Sequence, residues 1–163
     1  MNQISRLQSK VLSFEALKIL LKKWRDENEK IIFTNGCFDL LHLGHVDYLA
    51  KARDLGGRLV VGLNSDVSIK RIKGPSRPIN NEQSRAALLA GMTYVDAVVL
   101  FDEETPINLI SEVMPAVLVK GGDYKIKEIV GHEMVLNNGG EVCTIDFVEG
   151  YSSSELIKKI KAS

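Results

Sequence analysis

Five short apolar runs, each rich in β-branched residues and each followed by a helical pattern, constrain this chain more than any other feature. They are Ile31-Ile32-Phe33 and residues 58–63, 97–101, 116–120 and 141–145. Runs this short, bounded by turn signals such as Asn35-Gly36, read as strands buried on both faces. Helical spacing fills the intervals at residues 46–55, 81–92, 106–113 and 126–136, and residues 154–160 form a closing helix. Strands alternating with helices need right-handed crossovers, and so a parallel sheet covered on both faces. The expected fold is α/β, a doubly wound (Rossmann-like) sheet of about five parallel strands with helices on both faces.

Before the first strand, Ser13 can cap a helix whose apolar residues Phe14, Leu17, Leu20, Leu21 and Trp24 fall at helical spacing. The charged run 25–30 reads as a solvated connection. Residues 1–28 are therefore expected as an N-terminal helical extension, and residues 29–163 as the domain proper. A chain of 163 residues has room for one such domain with a full core.

Composition serves mainly to exclude. With 21 acidic and 21 basic residues the formal charge is zero, which argues against a broad nucleic-acid surface. No window approaches the roughly 18 consecutive apolar residues of a membrane helix. Residues 1–10 are polar and lack an apolar stretch of signal length, so a cytoplasmic location is expected. Cys37 and Cys143 are the only cysteines and read as reduced thiols.

Ligands of open α/β sheets bind beyond the carboxyl ends of the strands, where the winding changes direction. The chemically capable residues cluster at such places: Asn35-Gly36 with His42 and His45, then Asn64-Ser65-Asp66, then Gly121-Gly122-Asp123, then residues 150–154. The segment from Thr34 to His45 is the most informative. Gly36 and Gly44 let backbone approach a ligand without a Cβ in the way. A helix beginning near His45 aims unsatisfied amides at an anion. Imidazoles at that point can donate to phosphate oxygens, and more strongly if protonated. Zinc binding by the histidine pair would need further ligands that the chain scarcely offers. Residues 70–77 compete between a solvated basic loop and a shaped segment, and Gly74 with two prolines favours the latter. Ser152 to Ser154 form at least a helix cap, while Asp123-Tyr124 also fits an ordinary turn. Cys37, with no base partner in view, reads as a packing residue.

Thr34 to His45, with Phe38-Asp39 preceding His-Leu-Gly-His, resembles the signature of the cytidylyltransferase-like nucleotidyltransferases. The runs Lys70-Arg-Ile-Lys-Gly-Pro-Ser-Arg-Pro78, Glu82-Gln-Ser-Arg85, Val119-Lys-Gly-Gly-Asp-Tyr124 and Gly150-Tyr-Ser-Ser-Ser154 resemble the adenylyltransferase module of bacterial heptose-phosphate enzymes. The resemblance covers residues 29–160 and implies that the first strand lies near the sheet centre. It further implies that His42 and His45 contact the triphosphate and steady charge at the α-phosphorus. Lys73 would bind phosphate from a mobile loop, with Arg85 reaching the same anionic cluster. Asn35, Gly36, Cys37, Phe38, Asp39 and Gly44 would line the nucleotide, Gly122 and Asp123 would lie near the nucleoside, and Ser152, Ser153 and Ser154 would offer hydroxyls and amides. Asn64 and Asp66 are assigned to the acceptor. An Arg that some relatives carry after the serines is absent; Glu155 follows, with Lys158 and Lys159 a turn later.

The implied reaction joins AMP from ATP to a sugar 1-phosphate, with Mg²⁺ accompanying ATP and a homodimer as the expected assembly. The acceptor is largely dianionic near neutral pH, its second pKa being about 6, and needs no general base. Bringing two anions together and stabilising the α-phosphoryl oxygens is the harder task, and preorganised donors perform it. Three rivals stand beside this reading. A cytidylyltransferase acting on glycerol 3-phosphate or another polyol phosphate is the nearest, a non-catalytic nucleotide sensor the second. A dinucleotide oxidoreductase is the weakest, for no Gly-x-Gly-x-x-Gly follows the first strand.

Overall fold

A computed structural model describes residues 2–162. Six strands, β1 (Val11–Leu12), β2 (Ile31–Gly36), β3 (Arg58–Asn64), β4 (Ala97–Phe101), β5 (Val117–Gly121) and β6 (Glu141–Ile145), form one sheet in the order β1-β4-β3-β2-β5-β6. Every pairing is parallel. The five expected strands are present, and the sixth is a two-residue edge strand that sequence reading passed over.

Alternation along the buried strands builds two cores. Ile31 and Phe33 of β2, with Val60 and Leu118, meet Leu17, Leu21 and Trp24 of α2 (Phe14–Asp26), Leu109, Ile110 and Val113 of α6 (Ile107–Val113), and Val135 of α7 (His132–Asn137). Ile32, Leu59, Val61 and Val119 face the other way, onto Tyr48, Leu49 and Ala52 of α3 (Leu43–Arg53) and Ala86, Leu89 and Ala90 of α5 (Glu82–Ala90). Each fully buried Leu or Ile on these faces contributes about 1.5–3 kcal/mol of transfer free energy. Phe33 lies across Gly62, where any Cβ would collide with its ring.

Residues 2–28, expected as an extension, belong to this same unit. Val11 and Leu12 pair with Val98 and Val99. Ser13 caps α2 through its hydroxyl, as expected. Arg25 donates to the carbonyls of Glu112 and Val113, tying α2 to the end of α6. A further helix, α1 (Gln3–Gln8), precedes β1.

Two helices differ from expectation. Residues 66–73 form α4 (Asp66–Lys73), capped by the Ser65 hydroxyl, a helix that sequence reading did not expect and that takes in Lys70 to Lys73 of the segment read as a basic loop or a shaped one. The single helix expected over residues 126–136 is a 3₁₀ turn, Ile126–Glu128, followed by α7, because Ile129 is extended and Gly131 takes a left-handed φ of 84°. The last helix of the described residues is α8 (Ser153–Ala162).

Candidate active site

The winding of the sheet reverses between β2 and β5, and the carboxyl ends of those two strands floor a cleft of about 440 Å³. Asn35 and Gly36 come from β2, Lys120 and Gly121 from β5, Cys37 to Asp39 from the following loop, and His45 and Tyr48 from α3. This is where the switch-point rule directs a ligand.

Phe38 turns the chain at the end of β2 with a positive φ of 44°, and its ring lies against Gly36, where a Cβ would approach it to 3.0 Å. Backbone then reaches His42, the extended N-cap residue of α3, whose side chain makes no capping bond. The first amides of a helix have no intrahelical acceptor and remain available to an anion.

His42 and His45 stack, with ring centroids 3.9 Å apart and planes at 21°. Phe38 supports His45 from 5.1 Å, and Gly44 leaves room for the His42 ring, which a Cβ would approach to 3.0 Å. Burial lowers the pKa of both imidazoles. For His45 the positive neighbours His42 and Lys73 add to burial, and the nearby Leu40 backbone opposes them, leaving the ring at about 4. Both rings are therefore neutral near pH 7 before an anion arrives. The Nδ1 atoms of both are buried with no protein partner. His45 lines the cleft, while His42 sits between it and Tyr151, 6.5 Å away.

The other expected residues divide into those that reach the cleft and those that hold its walls. Lys73 lines it, but from the last turn of α4 rather than from a loop. Asn35, Gly36, Cys37, Phe38, Asn64, Asp123 and Ser153 also line it. Asp39 lines it too, yet its carboxylate is committed: it accepts from Arg77 Nε at 2.6 Å and from the amides of Ile79 and Asn80.

Arg85 does not reach the anionic cluster. Its guanidinium is wholly buried and donates to the carbonyls of Asn80, Cys37 and Asn64 and to the carboxylate of Asp66. Asp66, assigned to the acceptor, is correspondingly occupied by Arg85 and is not part of the cleft wall. Gly122 packs against Asp146, so Gly121 is the glycine that faces the cleft, close under the Phe147 ring. Ser152 caps α8 through Glu155 N, Ser153 donates to the Leu40 carbonyl, and Ser154 is exposed away from the cleft.

Sequence reading gave no site role to Lys120, Phe147 or the loop residues Glu104 to Pro106, and weighed Tyr124 with Asp123 against an ordinary turn; all of them line the cleft. A lysine ending an otherwise apolar strand was the available signal for Lys120. Its ammonium donates to the Asn35 carbonyl at 3.2 Å and lies 5.4 Å over the Tyr124 ring. Burial pulls its pKa down to about 8, against the upward influence of Cys37 and Asp123. Among the described residues, no three His, Cys, Asp or Glu side chains gather as a ligand set for a metal ion.

Comparison with known proteins accords with this geometry. The chain is 54 % identical over 157 residues to the bifunctional protein HldE of Campylobacter concisus. It is 53 % identical over 156 residues to that of Wolinella succinogenes. Both alignments cover 96 % of this chain and 32 % of the relative, so the chain spans about a third of the length of the curated relatives it matches. The lipopolysaccharide core biosynthesis protein of Thermoplasma volcanium GSS1 superposes with a TM-score of 0.61 at 32 % identity, over 76 % of this chain and 99 % of that one. A pantoate-beta-alanine ligase from Francisella tularensis, complexed with beta-gamma ATP and beta-alanine, shares the fold alone. Its TM-score is 0.58 at 12 % identity, over 94 % of this chain and 79 % of that one. The sequence model of the cytidylyltransferase-like family matches residues 33–159, from Phe33 in β2 to Lys159 in α8, and so takes in both walls of the cleft. On that match the chain belongs to the cytidylyltransferase-like family and is a nucleotidyltransferase.

Proposed function

We propose that this nucleotidyltransferase transfers AMP from ATP to a sugar 1-phosphate, D-glycero-β-D-manno-heptose 1-phosphate, giving the ADP-sugar and pyrophosphate. The observation that carries the reading is the stacked pair His42 and His45 at the mouth of α3, where strand β2 ends. The heptose acceptor is supported by the run from Lys70 to Pro78, by Lys120-Gly-Gly-Asp-Tyr124, and by the likeness to HldE and to a lipopolysaccharide core biosynthesis protein.

In the proposed step an oxygen of the acceptor phosphate attacks the α-phosphorus in line as the bond to the β-phosphate oxygen breaks. Pyrophosphate leaves with that electron pair, and no covalent enzyme intermediate forms. Neutral imidazoles of His42 and His45 donate to the polyphosphate oxygens, and Lys73 adds a positive charge from the end of α4. The helix mouth supplies amides that need no reorganisation as charge shifts.

Mg²⁺ belongs to this reading as a companion of ATP. Such an ion would be held largely by phosphate oxygens and water with one or two carboxylates, which suits a cleft that offers Asp123 and Glu104 but, among the described residues, no full ligand cage. When bound, it neutralises charge on the departing pyrophosphate. Among the described residues no helix is long and apolar enough to cross a membrane.

Pyrophosphate release with ATP or CTP, against a panel of sugar 1-phosphates and glycerol 3-phosphate, tests the proposal. ATP with the heptose phosphate is expected to dominate. Faster release from CTP with glycerol 3-phosphate would replace it with the polyol reading. Binding of ATP with no release for any acceptor would make the protein a sensor.

A further inference from the structure

Lys120 and Asn35 pose a chemical question that phosphate binding leaves unanswered. They come from adjacent strands, β5 and β2, at the point where the sheet changes its winding. Phe33 and Leu118 lie in the core shared with α6 and α7. Side chains two residues further along a strand point to the same face. Asn35 and Lys120 therefore stand on the α6 side of the cleft floor, whereas the histidine-bearing helix α3 covers the opposite face.

Each has unused hydrogen-bonding capacity. The Asn35 Oδ1 atom is buried with no protein partner. An ammonium carries three donors, and Lys120 spends one on the Asn35 carbonyl. A free donor thus sits beside a free acceptor. A fully ionised phosphate could use the donor but has no hydrogen for Oδ1, which would stay desolvated and unpaired. A hydroxyl accepts from one and donates to the other.

The surroundings agree. Glu104, Asp123 and Glu128 line the cleft with this pair. Glu128, which the Mg²⁺ reading leaves unassigned, can accept from further hydroxyls. Phe147 packs on Tyr48 of α3 at 5.7 Å, and the Tyr124 ring, 5.4 Å from the Lys120 ammonium, adjoins the pair, so the nucleotide measurement below is what separates a base from a sugar here.

We propose that Asn35, moved here from the nucleotide contact that the family resemblance implies, and Lys120 are specificity-determining residues that read hydroxyl groups of a polyhydroxylated acceptor, while its phosphate lies toward His45 and Lys73. This deepens the function proposed above and rests on it. An acceptor with few hydroxyls leaves Oδ1 unpaired and is disfavoured for that reason. The positive charge on Lys120, kept below a pKa of about 8, strengthens its bond to a neutral oxygen.

The test uses the full chain as wild type, Lys120→Met and Asn35→Ala. Steady-state kinetics with ATP and D-glycero-β-D-manno-heptose 1-phosphate are combined with calorimetric titration of α,β-methylene-ATP, and melting curves check the fold. Each variant is expected to lose at least about tenfold in kcat/KM for the heptose phosphate, with the nucleotide Kd unchanged within about twofold. Unchanged acceptor kinetics in a folded variant overturn the proposal. So does a weakened nucleotide Kd with acceptor kinetics intact, which would give the pair to the base. A variant that does not fold is replaced by Lys120→Gln or Asn35→Ser, read by the same two criteria. If wild type turns over no sugar 1-phosphate, the function proposed above fails on its own. Calorimetry of the heptose phosphate onto the nucleotide complex then decides this inference, and absence of binding overturns it as well.

Discussion

Asp39 and Arg77, 38 residues apart in the chain, meet at 2.6 Å, with the Asp39 side chain 1 % exposed and that of Arg77 13 %. The Phe-Asp pair of the signature thus does structural work: its carboxylate pins residues 77–80 against the end of β2 through Arg77 and the amides of Ile79 and Asn80. Burial favours the neutral acid, but the Asn80 and Ile79 amides and Arg77 outweigh it, holding the carboxyl below its ordinary value.

From that arrangement we predict that Asp39→Asn destabilises the fold by about 3 kcal/mol, because the mostly covered Arg77 guanidinium is left without its counter-charge. The sign with pH follows from the lowered pKa. The contribution of Asp39 is full above the unfolded value of about 3.9 and disappears as pH falls through the lower folded value. Urea unfolding at pH 7 and pH 3 checks both statements. A variant whose deficit is equally large at both pH values contradicts them.

Gly44→Ala separates stability from activity. Alanine in a helix is favoured over glycine by about 1 kcal/mol, so the variant should melt no lower than wild type. The new methyl group would stand 3.0 Å from the His42 ring and displace it from the stack on His45. The expected outcome is an intact fold with a turnover reduced about tenfold or more, measured as pyrophosphate release beside a melting curve. Wild-type turnover would show that the position of His42 is immaterial.

The sheet and its histidine pair could be read from sequence because their signals are local. Ile31 to Phe33 is buried on both faces and so shows as an unbroken apolar run, and the His-Leu-Gly-His spacing places both rings at one helix mouth. What escaped depends on distant contacts. β1 is two residues long and exists only because Val98 and Val99 lie beside it. Lys70, Arg71 and Lys73 resemble a basic loop until Ile69 is seen buried on the inner face of α4 and Ser65 capping that helix. Arg85 carries a charge in a motif that suggests an anion, yet its acceptors are carbonyls of Cys37 and Asn64, residues 48 and 21 positions away. Lys120 escaped for the converse reason: at the end of a strand its charge reads as an exit to solvent, while the fold turns it into a cleft.

Arg85→Gln follows from that misreading. If Arg85 bound phosphate, the variant would keep its stability and lose nucleotide affinity. Since it braces the ends of β2 and β3, we predict a loss of stability of about 3 kcal/mol, as expected when buried hydrogen bonds to a charged group are cut and Asp66 loses its partner. Denaturant midpoints measured with saturating ATP and without it distinguish the cases. A stable variant with weak ATP binding would restore the anion role.

His45 provides the sharpest test of the site itself, because its ring can be followed directly by NMR. In the ligand-free protein its titration should centre near pH 4, since burial, His42 and Lys73 all disfavour the imidazolium. Lys73→Met removes one of those charges and should move the midpoint upward. The unfolded chain takes up this proton near pH 6.5, so between pH 6.5 and 4 the unfolded state binds more protons and His45 lowers stability as pH falls. An anion beside the ring reverses the preference. Pyrophosphate or α,β-methylene-ATP should therefore raise the His45 midpoint, and by linkage should bind more tightly as pH falls through the bound-state value toward the free value of about 4. Both ligands titrate in the same range, so His45→Asn is the necessary reference: the extra pH dependence of wild type over this variant belongs to the ring. A His45 midpoint that stays near 4 with nucleotide bound would mean that no phosphate oxygen approaches the imidazole, and the polyphosphate cradle would have to be sought elsewhere in the cleft.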